Sequence, residues 1–338
     1  MRKASFAHAI EWSFRACLPR QAKRGICFLS ASGTVLCFAA LFLSGLLLEA
    51  SSVAKEPSRP RITGIHHVRL YVTEVEKSRA FYGNMLGLPE AGYRCASASR
   101  SCFAVSWGRQ KQHVELELAP STNRATLLAE LAFTTDNVVQ MRRYLVAQGV
   151  AAGAVESGGD YTQHFESRDP EGNLIVFVGY PGPFPIDDPP PSHAAGEQII
   201  HAGFVVHDRA AMDKFYQDIL GFHVYWHGGM KDNRTDWLDL QVPEGTDWIE
   251  FMLNVPADAD KHLLGIMNHI ALGVPDIHAA AKQLLTNGMK LTEEPQIGRD
   301  GKWQLNLYDP DDTRVELMEF TPVEKPCCSD YTGPHPKP

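Results

Sequence analysis

Four residues in the C-terminal half have side chains that can bind a metal or move a proton: His201, Glu250, His269 and Glu316. They are separated by 49, 19 and 47 residues. Each sits inside an apolar, strand-like stretch: Ile200-His201-Ala202, Ile249-Glu250-Phe251, His269-Ile270-Ala271 and Val315-Glu316-Leu317. Side chains alternate across a strand, so each polar group points away from its apolar neighbours. An ionised carboxylate is costly to bury unless it is paired or ligates a metal. Two imidazoles and two carboxylates form a borderline-to-hard donor set, suited to one divalent metal: Zn, Ni, Mn, Co or Fe(II). The competing reading is a decayed site whose residues survive as salt bridges.

The elements that must position these residues repeat. Phe81-Tyr82 followed by Leu86-Gly87 recurs as Phe215-Tyr216 followed by Leu220-Gly221, and Asp169-Pro170 recurs as Asp309-Pro310. Such self-similarity marks a duplicated unit. Residues 62–180 and 198–321 therefore read as two copies of one domain. The Pro-rich stretch 181–197 joins them as a stiff linker, and 322–338 is an irregular tail. Within the first copy, a short strand (Val68 to Val72) precedes a helical pattern from Glu76 to Leu86, closed by Gly87 at the C-cap position. Strand-like runs follow at Phe103–Trp107 and Val114–Leu118. The same order restarts at Leu131, Ala202 and Ile270, with Asp136, Asp208 and Asp276 at the expected N-caps. Gly149, Gly221 and Gly288 close those helices. The body is thus expected to be α+β: four βαβββ modules, two per domain.

This pattern resembles the vicinal oxygen chelate superfamily, which includes glyoxalase I, extradiol dioxygenases and the fosfomycin and bleomycin resistance proteins. The carrying motifs are Ile65-His66-His67-Val68, the two Phe-Tyr…Leu-Gly motifs, Asp169-Pro170-Glu171-Gly172-Asn173, Ile200-His201, Asn268-His269-Ile270-Ala271 and Asp309-Pro310…Val315-Glu316-Leu317. The resemblance implies two curled mixed sheets, with the first and last strands of each module supplying the ligands of one divalent metal. In the second copy those positions are His201, Glu250, His269 and Glu316. In the first they are His67, Glu115, Glu130 and Val176. Valine cannot ligate, so the first site reads as degenerate.

Three activities follow from the resemblance. The first is glyoxalase-like isomerase or lyase chemistry on a small oxygen-chelating substrate, through a metal-stabilised enediolate, with Glu250 or Glu316 as the proton-transferring base. The second is extradiol cleavage of a catechol, with His201, His269 and Glu316 as an Fe(II) triad. That family places an acid–base histidine near the position of Glu250, and a tyrosine where this chain has Asn306. Tyr308 lies two residues away, and His262 lies in an apparent loop. The third is a non-catalytic binding or resistance protein, its cleft lined by Trp226, Trp237, Trp248 and Trp303. His207, His223 and His227 are candidates for supporting roles behind the ligands.

Residues 1–54 read differently. Six basic residues (Arg2, Lys3, Arg15, Arg20, Lys23, Arg24) precede an uncharged apolar run, Ile26 to Leu48, followed by the small-x-small site Ser52-Val53-Ala54. That order is the order of a secretory signal, and the run is also long enough to serve as an uncleaved membrane anchor. The expected localisation is export: periplasmic or secreted, or anchored through residues 26–48. Glutathione is mainly a cytosolic thiol, so lactoylglutathione does not suit an exported enzyme. The whole chain has a formal charge of −8, and without the leader's six basic and two acidic residues the body carries −12. An acidic body without a Lys/Arg cluster argues against nucleic-acid binding. The expected partner is a small molecule. Cys17, Cys27 and Cys37 lie in the leader. Cys95 and Cys102 could pair across a hairpin in an oxidising compartment, or remain free thiols. Cys327-Cys328 lack a second Cys-x-x-Cys pair, so a zinc ribbon is not supported.

Overall fold

The computed structural model describes residues 57–338, except 96, 107–110, 121–126, 159–160 and 183–192. The leader (1–54) and most of the Pro-rich linker (181–197) lie outside the described residues. Among the described residues, no helix is long and apolar enough to cross a membrane. Residues Ala54–Pro338 form one compact unit.

The first half holds β1 (Ile62–Val72), α1 (Val75–Arg79), β2 (Ser101–Ala104), β3 (His113–Leu118), β4 (Leu128–Thr135), α2 (Val138–Ala147), β5 (Glu156–Ser157), β6 (Gln163–Arg168) and β7 (Leu174–Gly179). Its sheet runs β2-β3-β1-β4-β7-β6-β5. The second half holds β8 (Gln198–Val205), α3 (Arg209–Asp213), β9 (His223–Gly228), β10 (Trp237–Gln241), β11 (Trp248–Met252), α4 (Lys261–Met267), β12 (His269–Val274), α5 (Ile277–Thr286), β13 (Gln296–Ile297), β14 (Trp303–Tyr308) and β15 (Arg314–Glu319). Its sheet runs β13-β14-β15-β12-β8-β11-β10-β9. Modules two, three and four each show βαβββ order. In the first module one strand is reduced to a single bridge, Glu90 with Phe103.

Strand alternation divides each sheet into an apolar convex face and a polar concave one. Ala202 and Phe204, Ile249 and Phe251, Ile270 and Leu272, and Val315 and Leu317 all enter the main core. The intervening residues, including His201, Glu250, His269 and Glu316, are left for the other face. Helix α5 buries Ile277, Ala280, Ala281 and Leu284, a spacing of i, i+3, i+4 and i+7 that lays one stripe on the sheet.

Details differ from the sequence reading in three places. Both Phe-Tyr motifs lie in π-helical turns, Ala80–Met85 after α1 and Lys214–Ile219 after α3, a winding found mostly as single turns in α-helices. Asn137, not Asp136, caps α2 by accepting from the Gln140 amide, whereas Asp208 and Asp276 cap as expected. His262 is not in a loop: it lies on α4, exposed and paired with Asp312 at 3.1 Å. Cys95 and Cys102 form a disulfide, and so do the adjacent Cys327 and Cys328.

The two halves grip each other through matching residues. Gln112 donates to the Ile199 carbonyl at 2.9 Å and accepts from the Ile199 amide at 2.8 Å. Asp247, at the corresponding place in the second half, accepts from the Ile65 amide at 2.9 Å. Tyr82 donates to Asp309 at 3.1 Å, and Tyr216 donates to Asp169 at 3.2 Å. The Phe-Tyr motif of each half thus meets the Asp-Pro motif of the other.

Candidate metal centre

The four singled-out side chains converge on the concave face of the second sheet. His201 Nε2 lies 3.1 Å from His269 Nε2 and 3.6 Å from a Glu316 oxygen. His269 Nε2 lies 3.1 Å from a Glu250 oxygen and 3.9 Å from Glu316. His201, His269 and Glu316 each offer one ligand atom within 4.8 Å of the others. Glu250 joins this cluster through His269 and is the most open of the four, with 14% of its side chain exposed.

Local structure fixes each group. The register places Gly203 of β8 opposite both His269 of β12 and Glu250 of β11. A Cβ at Gly203 would overlap the His269 imidazole, so the absent side chain leaves that ring its seat. The His269 Nδ1–H donates to the Met267 carbonyl at 3.1 Å. That bond fixes the tautomer and turns the Nε2 lone pair to the centre, as in metal-ligating histidines. The His201 ring packs on Trp248, with centroids 4.9 Å apart.

The electrostatics are those of acids and imidazoles crowded out of water. Burial pushes the Glu250 carboxyl up to about 7, partly offset by Arg314. Burial pushes Glu316 up to about 8, with Arg314 pulling down and Glu250 pushing further up. Burial, then the neighbouring His269, holds His201 well below the usual imidazole range; burial, then Arg314, does the same for His269. Both imidazoles are therefore neutral, and the His269 Nε2 lone pair accepts from Arg314 Nη2 at 2.8 Å. Neutral imidazoles beside carboxylates that resist ionising are the donor chemistry a divalent cation satisfies, so these residues fit such an ion.

A cavity of about 100 Å³ opens on this cluster. Trp226, Trp237 and Trp248 line it; Trp303 does not, and packs instead beside the core and His278. His207 and His223 are exposed, and neither they nor His227 reaches the cavity. Asn306 and Tyr308 are both held by Glu293, at 3.0 and 2.8 Å, and neither lines the cavity. The sequence reading missed Asp239, Asp300 and Arg314, which also line it. Asp239 faces Glu250 across the β10–β11 pair, and burial, then Glu250, raises its carboxyl well above the usual range. Its signal was present: Leu238-Asp239-Leu240 repeats the apolar–polar–apolar pattern of the four chosen residues. Arg314 places Nη2 2.8 Å from His269 Nε2.

The first half keeps the register but changes the chemistry. Arg69 stands opposite Glu115 and Glu130, as Gly203 stands opposite Glu250 and His269. Val176 pairs Ala132 as Glu316 pairs Ala271. The Arg69 guanidinium forms ion pairs with Glu130, with Glu115 at 3.6 Å and with Glu117 at 3.1 Å. A tethered cation thus lies among the carboxylates that the resemblance assigns to metal.

Comparison with known proteins agrees with this duplicated architecture. The family model described as Glyoxalase/Bleomycin resistance protein/Dioxygenase superfamily matches residues 64–177 and 198–317. A lactoylglutathione lyase of Haemophilus influenzae is 29% identical over 124 residues, covering 36% of this chain and 92% of that protein. Among solved structures, homoprotocatechuate 2,3-dioxygenase from Brevibacterium fuscum, complexed with 3,4-dihydroxyphenylacetate, superposes with a TM-score of 0.58 at 18% identity, over 78% of this chain and 82% of that one. The Mn(II)-bound glyoxalase from Novosphingobium aromaticivorans gives 0.59 at 21% identity, over 77% and 83%. At these identities the two superpositions speak to fold. The sequence matches cover more than half of the chain, in two consecutive segments: it belongs to the Glyoxalase/Bleomycin resistance protein/Dioxygenase superfamily.

Proposed function

We propose that the second half is a metal-dependent isomerase or lyase centre of glyoxalase type, acting on a small substrate with two adjacent oxygens. His201, Glu250, His269 and Glu316 would hold the divalent ion. The observation that carries this reading is the pairing of two neutral imidazoles, His269 oriented by the Met267 carbonyl, with two carboxylates whose proton affinity lies near neutrality. When bound, the ion supplies Lewis-acid polarisation of the substrate oxygens. The protein supplies proton transfer. A carboxylate with a pKa near 7 is matched to taking a carbon-bound proton beside a carbonyl and returning it to the adjacent carbon. Glu250 is the more open of the two and faces the cavity, so it takes the base role; Glu316, deeper and within 3.6 and 3.9 Å of the two imidazoles, holds. Arg314 presents a guanidinium to negative charge developing on substrate oxygen. The tryptophans exclude water around the reacting carbons.

A second reading rests on the three-residue cluster His201, His269 and Glu316, a two-histidine, one-carboxylate arrangement of the kind used by non-haem Fe(II) oxygenases. Against it, the residues needed for acid–base work are engaged elsewhere: Tyr308 with Glu293, and His262 with Asp312. Sequestration of a ligand without turnover is the third reading.

We further propose that residues 1–54 export the chain, with the Cys95–Cys102 disulfide suited to an oxidising compartment. The test is metal analysis of purified protein, then deuterium uptake at the α-carbon of small α-hydroxycarbonyl compounds, in parallel with oxygen uptake on catechols. Exchange supported by bound metal without oxygen consumption is expected. Iron with oxygen consumption would overturn the isomerase reading, and metal-loaded protein inactive in both assays would favour sequestration.

A further inference from the structure

The first half contains a second candidate centre, which shares only His67 with the His67–Glu115–Glu130 set that corresponds to the second-half ligands. Strand β1 carries a bulge between Ile65 and His67. A bulge re-aims a side chain that regular alternation would send to the other face. Here it brings His66 and His67, adjacent in sequence, to the same side, with their Nδ1 atoms 2.8 Å apart. His113 lies opposite His67 in the β1–β3 register, and its ring stacks on that of His67 with centroids 4.7 Å apart. Each of the three offers a ring nitrogen within 4.8 Å of the others. They are 4%, 7% and 2% exposed.

The second half shows what these positions hold when no polar role is required. Its bulge on β8 skips Ile200, and Trp248 stands opposite His201. Ile200 and Trp248 pack together in an apolar cluster with Tyr225, Ala271 and Phe320. The first half thus buries two imidazoles, His66 and His113, where its twin buries isoleucine and tryptophan. Burying polar rings at apolar positions is unfavourable unless something uses them.

Their outer nitrogens are supported. His66 Nε2 lies 3.1 Å from the Tyr180 hydroxyl, and His67 Nε2–H donates to Glu130 at 2.7 Å. For His113, donation of Nδ1–H to the Lys111 carbonyl at 3.3 Å leaves Nε2, 3.3 Å from a Glu115 oxygen, as the nitrogen open to a metal. Hydrogen-bonded outer nitrogens orient imidazoles for a metal. Arg69, Arg94, Arg100 and Lys111 line the same cavity of about 270 Å³, and Glu115 and Glu130 form ion pairs with Arg69, Glu115 also with Arg100 at 3.2 Å.

We propose that His66, His67 and His113 form a second, three-nitrogen site for a borderline divalent cation such as Zn(II) or Cu(II). Three histidines leave a coordination position open. The surrounding arginines and lysine favour an anion, such as hydroxide or a carboxylate, as the exogenous fourth ligand.

This site does not rest on the activity proposed for the second half, and the two are separable. Metal-stripped full-length protein would be titrated with Zn(II) by calorimetry, and the Cu(II) form examined by electron paramagnetic resonance. Two equivalents are expected in the wild type, with nitrogen splittings from three imidazoles for one of them. The double variant His66→Ile/His113→Trp, which installs the second half's own apolar pair, should lose that equivalent and its spectrum. It should keep the second equivalent and any second-half turnover. His201→Asn/Glu316→Gln should show the reverse loss. His66→Asn/His113→Gln, with an unchanged circular dichroism spectrum, serves if the first double variant folds poorly. A single equivalent in the wild type that the substitutions at 66 and 113 leave in place overturns the proposal. So does a second equivalent that survives the substitutions at 66 and 113.

Discussion

At the residue scale, the centre depends on one tautomer, two carboxylates and one missing side chain. Glu250→Gln should lower proton exchange by about 10²–10⁴-fold, the usual contribution of a positioned base, while bound metal falls less than in Glu316→Gln. Parallel metal analysis and exchange rates would check this; equal loss of metal in both variants would contradict the division of roles. Gly203→Ala places a methyl group into the His269 ring. Metal affinity should fall by roughly 10–100-fold, the scale of losing ligand orientation, with little change in secondary structure; unchanged affinity by calorimetry would contradict the role given to Gly203. The four polar residues were legible because each interrupts an apolar strand. Gly203 was not, since its meaning comes from standing opposite His269, 66 residues away. Arg314 was not legible either: nothing in its sequence neighbourhood distinguishes a cavity-facing arginine from a solvated one.

At the element scale, the two halves show one framework with two chemistries. The order of strands and helices could be read from the repeated motifs and cap residues, because these are local. What the first half does with the framework could not be read, because Arg69, Glu115 and Glu130 become neighbours only through strand pairing. Valine at 176 removes one donor from the set that the resemblance implies, while the guanidinium among the carboxylates came from the structure. Arg69→Met should destabilise the fold by about 1–3 kcal/mol, since it takes charged hydrogen bonds from buried Glu115 and Glu130 while Arg100 and His67 remain to them. Urea denaturation would measure it, and a loss below about 1 kcal/mol would mean that the carboxylates are satisfied without Arg69. The irregular tail was read as lacking regular structure, and it does lack it. Yet Tyr331 donates to the Asp300 carbonyl at 2.9 Å, and Gln241 donates to the Pro334 carbonyl at 2.9 Å. Such packing leaves no periodic trace in sequence.

At the scale of the whole molecule, the halves share one apolar core and exchange hydrogen bonds at equivalent positions. The repeated motifs were visible in the sequence, but not that they bond crosswise, Tyr82 with Asp309 and Tyr216 with Asp169. The Asp247 clamp gives a pH prediction. Burial raises its carboxyl to about 7, against pull from the Ile65 amide and Gln198. A carboxyl with a raised folded-state pKa contributes stability that is full below the unfolded value, near 4, and is lost as pH rises toward 7. The melting temperature of Asp247→Asn minus that of the wild type should therefore climb between about pH 4 and pH 7 and then level off; a flat difference would contradict this.

The proposed centre requires His201, Glu250, His269 and Glu316 to hold one divalent ion. Anomalous diffraction at the absorption edge of the bound metal, on crystals of metal-loaded protein, tests it most directly. The expected result is a peak on the concave face of the second sheet, about 2.0–2.2 Å from the ligand nitrogen and oxygen atoms of those side chains. Metal-loaded crystals with no peak among these four residues would contradict it.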